Sequence, residues 1–206
     1  MRTLYFSKYS PYARKVRVLL AELGLEYSPR LINMEAAPSN FGTMNPNLRI
    51  PLFVDGTQTM FESNVILDYL LQTYPSGPKA DPPIASSLTR PEHHWKDMLV
   101  LSTIETVMDS GLNVFRFARV NIGPPQAPFL GRELERIGSG LDWLEHRMDN
   151  EGFAPGTFSI MDMNLVILLQ WADFRKPFEW RGRPRLEALL ERYASRPSIA
   201  ETIPVE

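Results

Sequence analysis

The chain has 206 residues, with 22 Lys+Arg against 24 Asp+Glu, and 44% of them are hydrophobic, which places it in the globular range. That length holds one large domain or two small ones, and a net charge of −2 gives no electrostatic reason to expect nucleic acid or an anionic membrane as partner. The absence of cysteine excludes disulfides, thiolate metal sites, a protein thiol nucleophile and any Cys-x-x-Cys redox step. Three histidines, at 93, 94 and 146, are poor material for a metal centre, so no metal is expected. No basic, apolar leader opens the sequence, and the longest apolar run, Leu165 to Leu169, is far short of a membrane span. The expectation is a soluble, cytoplasmic protein.

Thr3 to Phe6 is an aromatic and β-branched run that predicts a strand. After Ser10-Pro11, the residues Tyr12, Val16, Leu19, Leu20 and Leu23 share one helical face, and Gly24 follows as a stop. Glu26 to Ile32 predicts a second strand, parallel to the first if the helix is a crossover. Pro51 to Val54 and Gln58 to Phe61 flank Asp55-Gly56, a hairpin signal. Ser63 then opens a helix with Val65, Ile66, Tyr69 and Leu70 inward. The order β-α-β, irregular segment, β-β-α makes a compact α/β unit over 1–75.

Prolines at 75, 78, 82 and 83 forbid helix or central strand, so 76–87 is expected to be a linker. From 88 to 206 the period is helical. Leu101, Ile104, Met108, Leu112 and Phe115 form one stripe, and Gly123-Pro124-Pro125 breaks the chain. Leu130, Leu134, Ile137, Leu141, Leu144 and Met148 form a second. Ile160 to Ala172 is apolar on nearly every face, as in a helix buried among others. Leu186, Leu189, Leu190 and Tyr193 complete an all-helical domain.

The common catalytic signatures are missing: no G-x-G-x-x-G, P-loop, H-E-x-x-H or G-x-S-x-G. His93, His94 and His146 fit solvated helix faces. Ser10-Pro11 carries two readings. A serine N-cap with proline at N1 is a favoured helix start in its own right. The same geometry suits an anion, because the helix end is partly positive and the hydroxyl can donate its proton while accepting a helix N–H. A thiolate would be stabilised there, and in a cysteine-free protein it must arrive with a ligand. If the Ile50-Pro51 bond is cis, Ile50 can offer its backbone N–H and C=O to an extended peptide. Glu62-Ser63 is either a plain cap or a site in which Glu62 meets an ammonium and Ser63 a carboxylate. Arg49 suits a second carboxylate. Together these groups fit a short zwitterionic peptide bearing a thiol.

Ser10-Pro11-Tyr12-Ala13-Arg14-Lys15-Val16-Arg17, Asn45-Pro46 to Arg49-Ile50-Pro51, and Glu62-Ser63 resemble the glutathione S-transferase superfamily. The similarity is to its bacterial, serine-type members and runs over essentially the whole chain. It implies a thioredoxin-like first domain, a linker and an all-helical second domain whose Phe158 to Asp162 resembles the family's N-capping box. It further implies that Ser10 activates the glutathione sulfur and that Ile50, before cis-Pro51, pairs with the cysteinyl moiety. Glu62 and Ser63 would bind the γ-glutamyl end, and Arg49 would lie near the glycyl end. Ser7 is a competing hydroxyl; Ser10 is preferred because it sits at the helix cap. Lacking cysteine, the chain departs from the superfamily branches that form mixed disulfides.

Asp162 stands three residues after Ser159, so a capping-box role is expected rather than acid catalysis. The electrophile is expected between the domains, against Tyr9 and Tyr12 on one side and Met108, Leu112, Phe115 and Arg116 on the other. The resemblance implies a homodimer and a transferase with glutathione as co-substrate, acting on a small apolar electrophile in detoxification. Non-catalytic stress-response binding, and glutathione-dependent isomerase, dehalogenase or peroxidase activity, are the alternatives.

Overall fold

The computed structural model describes residues 1–33, 41–75, 84–86 and 90–204, and these fall into two units. Met1–Pro83 together with Pro197–Glu206 make the first, and Ile84–Arg196 the second.

In the first unit the chain runs β1 (Arg2–Phe6), α1 (Pro11–Glu22), β2 (Ser28–Leu31), α2 (Phe41–Met44), β3 (Leu52–Asp55), β4 (Gln58–Phe61) and α3 (Ser63–Thr73). The sheet order is β2-β1-β3-β4, with β1 parallel to β2 and antiparallel to β3, and β3 antiparallel to β4. The α1 crossover makes the β1–β2 pair parallel, as expected of a β-α-β unit. Leu4 and Phe6 alternate inward along β1 and are buried, as are Val16, Leu19 and Leu20 of α1, Leu52 and Phe53 of β3, and Ile66 and Leu70 of α3. Pro29 is tolerated in β2 because that strand lies at the sheet edge. Gly24, at φ 65°, ends α1 in the left-handed conformation that glycine adopts without strain. The thioredoxin-like architecture is that of the sequence reading.

Details differ. Asp55 pairs with Gln58 inside the hairpin, so the two-residue loop is Gly56-Thr57, one position later than Asp55-Gly56. Val65 points outward, and Leu67 takes the inward place beside Ile66 and Leu70. The one-turn α2 was not foreseen in the segment between β2 and β3. The expected linker, 76–87, lies outside the described residues apart from 84–86, where Ala85 bridges Ser159.

The second unit is helical: a short 3-10 turn at Pro91–His93, then α4 (His94–Ala118), α5 (Phe129–Arg147), α6 (Ile160–Arg175) and α7 (Pro184–Ala194). Helices α4 and α5 approach closely at Gly140, where a Cβ would stand 2.6 Å from Val107 Cγ2. From Ile160 to Ala172 every residue of α6 is buried. Its start is a capping box: the Ser159 hydroxyl accepts the Asp162 N–H at 3.0 Å, and Asp162 Oδ2 accepts the Ser159 N–H at 3.0 Å. The same carboxylate accepts the Ser159 hydroxyl at 2.6 Å and the Phe153 N–H at 2.9 Å. Despite these donors, burial pushes the Asp162 carboxyl up to about 6. Leu134 is the one member of the second apolar stripe that reaches solvent.

A last short helix, α8 (Pro197–Ala200), belongs to the first unit rather than to the helical one. The sequence boundary of 88–206 is therefore too long at its end. Among the described residues no helix is long and apolar enough to cross a membrane, and no group of His, Asp and Glu is placed to hold a metal ion.

Candidate functional site

Strand register brings three separated segments to one end of the sheet. Tyr5 of β1 is opposite Leu52 of β3, and Leu52 is opposite Phe61 of β4. The turn after β1, the Ile50-Pro51 step before β3 and the Glu62-Ser63 step after β4 therefore adjoin. Two interstrand spacings amount to about 10 Å. An extended tripeptide spans at most roughly the same length. Each segment offers a different kind of group.

Ser10 caps α1. Its backbone is extended, at φ −79° and ψ 116°, its hydroxyl accepts the Ala13 N–H at 3.2 Å, and Pro11 takes the first helical position. The turn leading to it is held by the Ser10 N–H on the Ser7 carbonyl at 3.2 Å. Ser7 Oγ accepts the Tyr9 N–H at 3.3 Å, which occupies that hydroxyl oxygen in the turn and not at the helix end. Ser10 is half-buried, so its oxygen is reachable while its proton remains available for an incoming acceptor.

The segment before β3 is shaped by Asn45, which is fully buried. Its Nδ2 donates to the Arg49 carbonyl at 2.6 Å, and its Oδ1 accepts the Asn47 N–H at 2.9 Å, an Asx turn. Leu48 follows in the left-handed region at φ 51°, and the Ile50-Pro51 bond is cis. Arg49 is exposed and Ile50 half-buried at the rim of the sheet, while Pro51 is buried.

Glu62 caps α3, at φ 66° and ψ 121°, without a side-chain cap bond. Of the Glu62-Ser63 pair it is thus Glu62 that stands at the cap, and Ser63 is the first helical residue, 4% exposed. A positive φ at a non-glycine residue is a locally strained backbone. Glu62 projects into solvent, and its Oε1 accepts the Asn47 Nδ2 at 2.5 Å. That bond ties the second segment to the third. Asn47 was missed in the sequence, although Asn45-Pro46-Asn47 is itself a turn signal.

The expected electrophile-side residues are dispersed between the two units. Tyr9 is exposed in the turn after β1, and Tyr12 half-buried in α1. In α4, Arg116 is exposed and Leu112 half-buried. Met108 is fully buried, because it shares the inward face with Ile104 and Val107, so it serves the core of the helical unit and not a pocket wall. Phe115 packs edge-on against Trp171, with the Arg175 guanidinium 5.3 Å from its ring centre.

Family models match the chain twice: a glutathione S-transferase N-terminal domain over residues 4–80 and a glutathione S-transferase C-terminal domain over 127–192. A stringent starvation protein A homolog of Haemophilus influenzae is 30% identical over 202 residues, covering 98% of this chain and 89% of that one. Glutathione S-transferase 3 of Zea mays is 26% identical, covering 97% and 92%. A glutathione transferase family member from Pseudomonas fluorescens Pf-5, solved with bound glutathione, is 28% identical, covers both chains fully and superposes with a TM-score of 0.80.

Proposed function

The chain belongs to the glutathione S-transferase superfamily, and we propose that within it this protein is a glutathione transferase that works by stabilising the glutathione thiolate. The observation carrying this reading is the convergence of Ser10, Ile50 and Glu62-Ser63 on one sheet end, about a tripeptide's length across. The glutathione-bound relative from Pseudomonas fluorescens supports it.

Ser10 donates its hydroxyl proton to the sulfur and the α1 N-terminus adds its partial positive charge. The thiol proton leaves to water. The thiolate then attacks an electrophilic carbon, a C–S bond forms and the leaving group departs with its electron pair. Lowering the thiol pKa by two units corresponds to about 2.7 kcal/mol, within reach of one charge-assisted hydrogen bond plus a helix end. Ile50 holds the cysteinyl backbone, Glu62 the γ-glutamyl ammonium and Ser63 the adjoining carboxylate, with Arg49 toward the glycyl end. Asn47 orients Glu62. Tyr9 and Tyr12 offer aromatic surface beside the sulfur, which favours a small, largely apolar electrophile.

Calorimetric titration separates this reading from a generic thiol site. Glutathione is expected to bind at least tenfold more tightly than cysteinylglycine, which lacks the γ-glutamyl group, and Glu62→Gln is expected to narrow that gap. Equal affinity for the two would contradict the assignment. A second reading, non-catalytic stress-response binding, is favoured by the name of the Haemophilus influenzae relative. It predicts no glutathione binding, or binding without any change in thiol ionisation.

A further inference from the structure

We infer that the C-terminal segment around α8 is a strap that fixes α1, and with it the Ser10 cap, and that Arg14 is the positioning residue through which it acts. This rests on the glutathione reading above. Arg14 lies one turn after Ser10, and its N–H closes the first helical bond on the Ser10 carbonyl at 3.0 Å. Its side chain is 2% exposed. Nε donates to Thr202 Oγ1 at 3.1 Å, and Nη2 donates to the Ile199 carbonyl at 2.9 Å. The Thr202 hydroxyl in turn donates to the Ser198 carbonyl at 2.8 Å. At the other end of α1, the Ser198 hydroxyl donates to the Glu22 carboxylate.

The helix is thus held at two points eight residues apart, about 12 Å along its axis. Burying a guanidinium is costly unless good geometry satisfies it, so the residues around α8 are needed wherever Arg14 is inside. Burial and the neighbouring Arg17 bring the Arg14 guanidinium down to about 10, so it stays charged at neutral pH. A rigid guanidinium fork reaching two acceptors fixes the direction of its helix more firmly than a single contact can. Since the cap hydroxyl and the first turn's N–H groups stabilise the thiolate only when aimed at it, the strap's hold on that turn sets their catalytic value.

Two variants in the full chain test this. Arg14→Lys keeps the charge and loses the two-point grip; Thr202→Val removes one acceptor with little change of volume. Hydrogen–deuterium exchange at the Ala13 and Arg14 amides reads the strap itself, and the ionisation of bound glutathione, followed by thiolate absorbance against pH, reads its effect on the site. Both variants are expected to exchange several-fold faster and to raise the bound thiol pKa, by about half a unit for Arg14→Lys. Unchanged exchange in folded variants would overturn the strap. Faster exchange with an unchanged thiol pKa would overturn the positioning role. If Arg14→Lys does not fold, Thr202→Val decides alone. A wild type that binds glutathione without lowering its thiol pKa would refute the glutathione reading and the coupling together, while exchange would still judge the strap.

Discussion

Among the described residues two serines, Ser10 and Ser159, cap helices, and they differ in what is left over. Ser159 is fully buried; its hydroxyl accepts the Asp162 N–H and donates to the Asp162 carboxylate, so both of its capacities are used within the fold. Ser10 accepts the Ala13 N–H in the same manner, yet it is half-buried and has no carboxylate three residues on, where Ala13 stands. A cap whose proton is consumed internally stabilises a helix. A cap whose proton remains available at an accessible helix end can stabilise a ligand's anion as well. The distinction lies in the third residue after the serine and in solvent access, not in the capping bond.

Asp162→Ala sharpens the contrast most strongly. It strips acceptors from the Ser159 N–H, the Ser159 hydroxyl and the Phe153 N–H, and is expected to cost about 3 kcal/mol. Urea unfolding measures this, and glutathione affinity below the transition should stay close to wild type. Ser10→Ala should show the reverse balance. Its stability cost is about 1 kcal/mol, as for an ordinary cap, while conjugation at neutral pH falls tenfold or more.

The pH dependence of stability isolates Asp162 again. Its folded-state pKa is raised to about 6 from the ordinary 3.8, so the folded protein holds the proton more tightly than the unfolded chain. Its contribution is fully present below pH 3.8 and is lost as pH rises through about 6. Relative to Asp162→Asn, wild type is therefore expected to lose stability between those limits and to level off above neutrality. Urea midpoints at several pH values would show it, and a constant difference would contradict it. The smallest effect belongs to Asn47→Ala, which frees Glu62 and should weaken glutathione binding a few-fold, in line with one hydrogen bond, with little change in melting.

Much of this was legible in the sequence because it rests on local signals. The Ser10-Pro11 start, the Gly24 stop and the Ser159–Asp162 box are short-range patterns whose physics does not depend on the rest of the fold. Two alternating strands around a glycine turn gave the hairpin, though its exact loop needed the register. Met108 shows where periodicity runs out: a stripe identifies an inward face but not what lies opposite it, and here that face is core. Asn47 and Arg14 were hidden for another reason. Their partners, Glu62 and the 199–202 segment, are 15 and up to 188 positions away, and only the folded chain brings them together. The assignment of 197–206 to the first unit is likewise a long-range fact.

In the proposed function Ser10, unlike Ser159, acts on a ligand. Titrating glutathione into wild type and Ser10→Ala across pH, with thiolate absorbance as the readout, tests it most directly. A thiolate band is expected in wild type well below the ordinary thiol pKa of about 8.5, shifted upward by a unit or more in the variant. A bound thiol that ionises at the same pH in both proteins would contradict it.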